Sequence, residues 1–199
     1  GLAVAARLAA AGRIVLFVTV ELCSTSIRLD KLNKANIVAT ALFGDGAAAC
    51  VLRGGEGGIA TIEGAGEMLW PDTLRIMGWD VEDPGLGVVF DRAIPPFLTK
   101  NMAVAVDGIA AGIGIGRGGI DRLTCQPRGA KVVTALERSL GLEQGSLDHE
   151  RAVLRDHGNM SAPTVLFVLE RLIEAGLPPR TMLLAVGPGF TASGLSLLA

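Results

Sequence analysis

The 199-residue sequence is poor in several kinds of side chain that mark common binding sites. It has no tyrosine, and aromatic residues make up 4% of the chain, so few rings are available for nucleic acid bases to stack on. The 18 basic and 20 acidic residues are interspersed and give a net charge of −2, which leaves no basic stripe for a phosphate backbone. Nucleic acid is therefore not an expected partner.

Cysteine and long apolar runs are also scarce. The three cysteines, Cys23, Cys50 and Cys125, form no CxxC or metal-ligand pattern, and their odd number argues against a disulfide framework. No metal site is predicted, and a reducing, cytoplasmic location fits best. The longest apolar runs, such as residues 14–20 and 183–186, fall short of the roughly 18 residues that would suggest a membrane span.

The first residues predict a chain that starts inside a longer protein. The segment GLAVAARLAAAG has helical character from its beginning, but it has no Met and no Ser, Thr, Asp or Asn cap. It also lacks the basic start, apolar centre and cleavage site of a secretory signal. We therefore interpret the sequence as the later part of a longer chain.

Helix and strand patterns alternate along the sequence, which predicts an α/β fold. A strand at 58–64 is a candidate partner for the strand at 47–53, and the segment that contains Trp70 and Trp79 is expected to be a loop. Ser161 is the expected cap of the last helix. The predicted helices are 2–11, 30–42, 95–111, 129–140, 148–156 and 163–176, and the predicted strands are 13–21, 47–53, 58–64, 86–90, 121–126, 181–186 and a final strand ending at Leu198.

The segment GIGRGG at 114–119 satisfies the GxGxxG pattern that lets a backbone approach a pyrophosphate. Its context is reversed, because these glycines follow a predicted helix and precede a strand, whereas the dinucleotide motif requires strand, turn and helix. We interpret the segment as a flexible connection. A nucleotide-binding module built on it would instead predict saturable binding of NAD or ATP.

Several isolated polar residues have simple structural interpretations. His149 and His157 have no Ser or Cys neighbour and are expected to be surface or loop residues. Asp45 lies between two glycines that allow a positive φ, so a tight turn is a simpler interpretation than a catalytic acid. Cys23 and Cys50 lie in or near apolar strand segments and are expected to behave as small hydrophobic residues.

Five segments gain meaning when they are read together: ALFGDGAAACVL (41–52), PDTLRIMGWDVEDPGLGVVF (71–90), CQPRGAKVVTALERSLGL (125–142), LRDHGNMSAPTVLFVLERL (154–172) and GPGFTASGLSLL (187–198). In this order and spacing the sequence resembles, essentially from end to end, the bacterial type III polyketide synthases of the chalcone and stilbene synthase family. The resemblance implies a thiolase fold of two related α/β halves in five layers, usually as a homodimer. Residues 1–55 would end the first half, and residues 56–199 would form the second.

The resemblance implies an acyltransferase that uses acyl-CoA and malonyl-CoA and no further cofactor. In that family a cysteine takes an acyl group from a CoA thioester, malonyl-CoA is decarboxylated, and a Claisen condensation extends the chain. This chemistry needs a thiolate, an oxyanion stabiliser and a shaped cavity. The resemblance places the nucleophilic cysteine upstream of Gly1, and none of the three cysteines here matches its motif, so this chain is not expected to complete the reaction.

The family's catalytic histidine lies in a His-Pro-Gly-Gly pattern directly after a strand, and the equivalent stretch here runs from Gln126 through Arg128 to Gly129. The resemblance therefore makes Gln126 the functional residue, and Cys125 is expected to be a buried strand residue. Glutamine can donate an N–H to a carbonyl oxygen but cannot become a cation, so thiolate activation should suffer more than decarboxylation. Arg128 replaces a glycine beside the pantetheine arm, where it either obstructs the tunnel or turns outward to a CoA phosphate.

The resemblance also assigns residues around the substrate. Asn159 matches the catalytic asparagine, whose neutral amide donates to the same thioester oxygen; from the residues alone, a helix-capping Asn is the alternative. Phe43 matches a gatekeeper, and Val88 replaces a second gatekeeping phenylalanine, which implies an opening wide enough for a long aliphatic acyl starter. The other positions expected around the cavity are Ser26, Gly78, Ser161, Gly187, Pro188 and Gly189.

A second hypothesis is a degenerate homologue without activity, which persists as a dimer partner or a gene remnant. The departures at Gln126 and Arg128 motivate it. It predicts that restoring His and Gly at these positions in a complete protein leaves activity absent.

Overall fold

The computed structural model describes residues 1–55, 57–83 and 85–199, in which helices and strands alternate as the sequence predicts. The helices are α1 (Leu2–Ala10), α2 (Lys34–Leu42), α3 (Ile94–Gly112), α4 (Ala130–Leu140), α5 (Asp148–His157) and α6 (Thr164–Gly176). The strands are β1 (Val15–Glu21), β2 (Gly46–Leu52), β3 (Thr61–Leu69), β4 (Met77–Val81), β5 (Leu86–Phe90), β6 (Arg122–Cys125), β7 (Arg180–Gly187) and β8 (Thr191–Leu198).

Four strands form the main sheet, in the order β3-β8-β7-β6. β8 is antiparallel to both of its neighbours, whereas β6 and β7 are parallel. Parallel strands need a crossover connection, and α4, α5 and α6 provide it between β6 and β7. This crossover brings the end of β6 close to the segment that follows α5.

The largest core lies between the main sheet and helices α3 and α4. Leu98, Met102 and Val106 of α3 are fully buried there, and they recur at the three-to-four-residue spacing of one helix face. α4 contributes Val133 and Leu136, and it ends where Gly141 adopts a left-handed conformation with φ 66°. The helices predicted from apolar spacing are confirmed here to within a few residues, except that α2 begins at Lys34 rather than near residue 30.

β1 and β2 form a separate antiparallel pair. Side chains alternate along each strand, so one face packs on α1 and the other is open. The open face is apolar: Leu16, Val18, Val20 and Val51 are each more than half exposed. An apolar face of this kind on one side of a sheet is typical of a surface that another element covers. None of the helices that the structure describes is both long and apolar enough to cross a membrane.

Two strand predictions are wrong. The strand predicted at 58–64 runs from Thr61 to Leu69 and pairs with β8, not with β2. Glycines in β3 explain part of this placement, because a Cβ on Gly64 would lie 1.9 Å from the Ile113 side chain, so glycine lets α3 lie directly on the strand. The segment predicted as a loop contains β4, in which Trp79 pairs with Val88 of β5.

The expected cap of the last helix is also different. Ser161 has φ 58°, and its side chain does not cap α6, which begins at Thr164. Instead the Thr164 hydroxyl accepts a hydrogen bond from the backbone N–H of Met160 at 3.0 Å and donates to the Ser161 carbonyl at 2.8 Å. This bonding fixes the turn that immediately follows Asn159.

A buried carboxylate ties β6 to α5. Glu150 is 0% exposed, and its carboxylate accepts hydrogen bonds from Thr124 Oγ1 at 2.5 Å and from the backbone N–H of Cys125 at 3.2 Å. Arg122 donates to it at 2.8 Å. Burial raises the pKa of Glu150, and the positive charge of Arg122 opposes this rise. The two elements that lead into residues 126 and 159 are thus held in a fixed relation.

Candidate active site

Two buried amides meet where β6 and α5 end. Gln126 follows β6, and its backbone N–H donates to the Leu184 carbonyl at 3.0 Å, which continues the strand pairing. Asn159 follows α5 after Gly158, whose φ is 72°. The Gln126 Nε2 donates to Asn159 Oδ1 at 3.2 Å, and both residues are at most 4% exposed. Residues 33 positions apart in sequence therefore form one hydrogen-bonded pair.

The backbone of Asn159 is fixed against the end of α2. Its N–H donates to the Leu42 carbonyl at 2.8 Å, and its carbonyl accepts from the N–H of Gly44 at 3.1 Å. Space here is tight: a Cβ on Gly44 would lie 2.1 Å from the His157 carbonyl oxygen, and one on Gly158 would lie 2.8 Å from the Leu42 carbonyl oxygen. These glycines allow the two segments to touch.

Hydrogen bonding sets the orientation of the Asn159 amide. Its Oδ1 accepts from Gln126 and also from the backbone N–H of Ser161 at 3.0 Å. The oxygen is thus occupied, and the Nδ2 group has no acceptor in the part of the chain that the structure describes. Because Asn159 lines a cavity, this NH₂ group is available to a ligand oxygen.

The cavity beside Asn159 has a volume of about 290 Å³. Its walls come from the end of β1, the 3-10 turn Cys23–Ser26, the β4–β5 hairpin, and the segments after β6, α5 and β7. Eight of the residues expected around a substrate line it: Ser26, Phe43, Gly78, Val88, Arg128, Asn159, Ser161 and Pro188.

Four expected residues lie just outside this lining. Gln126 lies behind Asn159, to which it is hydrogen-bonded. Gly129 precedes α4 with φ 154°, next to Leu42. Gly187 ends β7, and Gly189 has φ 125° in the turn between β7 and β8.

The cavity also has lining residues that the sequence did not single out. Two of them, Phe90 and Trp79, are aromatic and contact the predicted gatekeeper Phe43. The ring centroid of Phe43 lies 5.7 Å from that of Phe90, in an edge-on arrangement, and 6.4 Å from that of Trp79. Trp79 lies on β4, a strand that the sequence did not predict. It faces the cavity because it pairs with Val88 of β5, which also lines the cavity. The remaining unpredicted residues are Glu21, Leu22, Cys23, Thr25, Met77 and Leu86.

The structure adds detail to the interpretation of Cys23 and corrects that of Asp45. Cys23 lies near an apolar strand, as predicted, where it starts the 3-10 turn after β1 and lines the cavity; burial raises the pKa of its thiol. Asp45 accepts from the Ser24 hydroxyl at 2.6 Å and from the Ser24 N–H at 2.7 Å, and these bonds lower its pKa. Its flanking glycines do not have a positive φ; they provide room for Met160 and the His157 carbonyl.

The order of elements around the glycine-rich segment is as predicted, and the two histidines lie on one helix. His149 and His157 both lie on α5; His149 is half-buried, whereas His157 is exposed and packs edge-on against Phe167, with ring centroids 5.0 Å apart. The glycine-rich segment at 114–119 connects α3 to β6, in the order helix, loop and strand. Within residues 1–55, 57–83 and 85–199, no cluster of three His, Cys, Asp or Glu side chains is suited to a metal ion.

Arg128 turns inward. Its Nη1 lies 3.1 Å from the Met77 sulfur, and its Nη2 donates to the Val186 carbonyl and lies 3.4 Å from Gln126 Oε1. The Nε atom is buried and has no acceptor within residues 1–55, 57–83 and 85–199. Burial lowers the pKa of the guanidinium to about 10, so it stays charged at neutral pH. The guanidinium thus borders the cavity instead of pointing away from it.

Cys125 is predicted to be inert in the folded protein. It is 3% exposed, and burial, together with the nearby Glu150 carboxylate, raises the pKa of its thiol well above the ordinary value. In alkylation with iodoacetamide followed by peptide mass spectrometry, we expect Cys23 and Cys50, which are only partly buried, to be labelled before Cys125. Cys125 should react when urea unfolds the chain; labelling as fast as that of Cys23 in native buffer would contradict its burial.

Comparisons with known proteins identify the family to which the sequence is similar. A family model described as the C-terminal domain of chalcone and stilbene synthases matches residues 61–199. The 1,3,6,8-tetrahydroxynaphthalene synthase of Streptomyces peucetius subsp. caesius is 38% identical over 188 residues, which cover 89% of this chain and 49% of the relative. The 3,5-dihydroxyphenylacetyl-CoA synthase of Streptomyces toyocaensis is 33% identical over 192 residues, covering 90% and 49%. The chain thus spans about half the length of the curated relatives it matches.

Solved structures show the same relationship. The C-terminal type III polyketide synthase domain of Steely1, a type I/III hybrid from Dictyostelium, superposes with a TM-score of 0.90 at 25% identity, over 99% of this chain and 57% of that one. The tetrahydroxynaphthalene synthase of Streptomyces coelicolor A3(2) superposes with a TM-score of 0.86 at 27% identity, over 94% and 54%. The chain therefore belongs to the chalcone and stilbene synthase family of type III polyketide synthases and has their thiolase-like fold.

Proposed function

We propose that this chain forms the oxyanion-stabilising and cavity-lining part of a type III polyketide synthase that condenses an acyl-CoA starter with malonyl-CoA. The observation that carries the proposal is the buried Gln126–Asn159 pair, which leaves the Asn159 NH₂ group beside a cavity. A neutral amide donor with a fixed orientation is suited to a thioester carbonyl that gains negative charge.

The amide pair supports decarboxylation directly. When malonyl-CoA loses its carboxylate as CO₂, the electron pair of the broken C–C bond passes into the thioester as an enolate. Hydrogen bonds from Asn159 Nδ2 to that oxygen stabilise the charge where it develops. Gln126 holds Asn159 in the donating orientation through its own N–H.

Condensation requires a second group. The enolate carbon attacks the carbonyl of an acyl group that a cysteine holds as a thioester. A C–C bond forms, the C–S bond breaks, and the cysteine leaves as a thiolate. We propose that this cysteine belongs to the part of the relatives' length that the 199 residues do not span, since Cys125 is buried against Glu150 and the other two do not match the family's motif. Gln126 has no charge with which to stabilise that thiolate, so acyl loading should be the weaker step.

The separation of the β1–β2 pair from the main sheet motivates a proposal about domains and assembly. We propose that residues 1–55 end the first thiolase-like half and residues 56–199 form the second, in a protein that dimerises when complete. The β1–β2 pair is hydrogen-bonded separately from the main sheet and has an open apolar face, which favours a covering element from outside this chain.

A non-catalytic homologue remains the second candidate, because two positions depart from the family's pattern. Gln126 provides no cation, and the Arg128 side chain occupies the wall of the cavity where the pattern has a glycine. This candidate predicts a chain that folds but catalyses neither decarboxylation nor condensation.

The deciding experiment is to follow release of labelled CO₂ from [carboxyl-¹⁴C]malonyl-CoA by the purified chain, together with CoA release in the presence of an acyl-CoA. We expect saturable CO₂ release above the rate without protein, because decarboxylation needs the oxyanion donors and no thiolate. Folded chain that releases no CO₂ would contradict the proposal. If the wild-type chain releases no CO₂ but the Gln126→His variant does, the wild-type chain has kept the fold and lost the reaction.

A further inference from the structure

The Arg128 guanidinium is a cation with no counter-charge among the residues that the structure describes. Its neighbours are the Val186 carbonyl, the Met77 sulfur and Gln126 Oε1, all of them uncharged. No carboxylate of the residues that the structure describes forms an ion pair with it, and its Nε has no acceptor. A thioether is a weak acceptor, so the hydrogen-bonding capacity of this side chain is poorly used.

A buried charge in such surroundings favours an anionic ligand. Removing an ion from water is costly unless it is paired and hydrogen-bonded. The charge persists at neutral pH even though burial lowers the pKa to about 10. Because Arg128 lines the cavity, a ligand anion can reach it and provide the pairing that the described residues do not.

The position of Arg128 indicates which part of a ligand it meets. Its Nη2 lies 3.4 Å from Gln126 Oε1, and Gln126 is bonded to Asn159, the proposed donor to the thioester oxygen. A group at Arg128 is therefore close to the thioester, whereas the phosphates of CoA lie at the far end of the pantetheine arm. A carboxylate on the acyl chain fits this location, and it matches the planar fork of a guanidinium.

The carboxylate that malonyl-CoA loses is a poor match. A cation paired with that group would stabilise it before CO₂ leaves and would oppose the movement of charge into the enolate. The carboxylate at Arg128 is thus one that the acyl chain retains. Glu21 also lines the cavity, and its carboxylate repels an anion. The part of the cavity next to Arg128 is therefore the favoured position for a ligand carboxylate.

We infer that Arg128 is a specificity-determining residue that selects a short acyl thioester ending in a carboxylate, in place of the long aliphatic starter suggested by Val88. The inference rests on the proposed function, because it takes the Asn159 side of the cavity as the thioester site.

The test compares the binding of two thioesters of matched shape to the purified chain by isothermal titration calorimetry. Glutaryl-CoA ends in a carboxylate, and 5-methylhexanoyl-CoA ends in an uncharged branch of the same size. We expect glutaryl-CoA to bind about tenfold or more tightly, as for a charge-assisted hydrogen bond. Arg128→Met should remove the preference, whereas Arg75→Met, which changes an arginine 80% exposed and paired with Asp80, should retain it.

The outcomes separate the two proposals. Equal binding of both thioesters by the wild-type chain, or a preference that persists in a folded Arg128→Met, would overturn the inference and leave the proposed function in place. A preference for glutaryl-CoA without any release of CO₂ would support the inference and contradict the proposed function. If neither thioester binds, both proposals are overturned. The wild-type comparison decides the inference even if Arg128→Met does not fold.

Discussion

Replacing Asn159 with alanine is expected to lower CO₂ release from malonyl-CoA about 100- to 1000-fold, the usual cost of losing one oxyanion donor. The substitution removes the only NH₂ group of the amide pair that has no acceptor within the described part of the chain. Radiometric assay of the purified variant at saturating malonyl-CoA provides the measurement. The loss should be in kcat, because the hydrogen bond strengthens as the enolate forms.

Two further variants show whether the donor or the local structure matters. Asn159→Asp keeps an oxygen that can accept from Gln126 and from the Ser161 N–H but has no NH₂ group, so it should be as inactive as the alanine variant. His157→Ala changes an exposed residue of the same segment and should leave the rate within about twofold of wild type, as surface changes usually do. A fully active Asn159→Ala would rule out the proposed role of the amide.

Replacing Glu150 with alanine is expected to destabilise the chain by about 3 kcal/mol or more. Glu150 is 0% exposed, and its removal leaves Thr124 Oγ1 and the Cys125 N–H without their acceptor and Arg122, only 17% exposed, without its nearest counter-charge. Urea unfolding followed by circular dichroism at neutral pH measures the change in the free energy of unfolding.

A surface ion pair provides the matched control. Asp80 pairs with Arg75 at 2.7 Å, but the two side chains are 45% and 80% exposed, so Asp80→Ala should cost less than about 1 kcal/mol. Glu150→Gln keeps acceptors for the hydroxyl and the N–H and should lie between the two. If Glu150→Ala unfolds at the same urea concentration as Asp80→Ala, the buried network does not hold β6 to α5.

The parts of the fold that the sequence predicts well are local. α4 and α6 carry apolar residues at helical spacing, and a periodicity of this kind depends only on neighbouring residues. β4 was missed because a five-residue strand that contains Gly78 and Asp80 has little strand character without its partner β5. The partner of β3 was wrong because pairing between distant strands leaves no local signal.

In the candidate site, too, sequence patterns do not predict the features that depend on tertiary contacts. Gln126 and Asn159 were identified through a family resemblance, and neither residue type in isolation distinguishes a catalytic amide from a helix cap. Their contact depends on the crossover between β6 and β7, which no local pattern shows. Trp79 and Cys23 line the cavity because of tertiary placement, and the inward direction of Arg128 depends on Met77 and Val186, which are distant in sequence.

The contact between the end of α2 and the Asn159 segment has a consequence for how such sequences diverge. Gly44 touches no proposed substrate, yet any side chain there would collide with the His157 carbonyl and displace the segment that carries Asn159. A lineage that loses Gly44 would therefore lose the reaction while every proposed catalytic residue remained intact in its gene. A comparison limited to catalytic residues would classify such a gene as active. The glycines at positions 44 and 158 should therefore be included among the positions that distinguish active from inactive homologues.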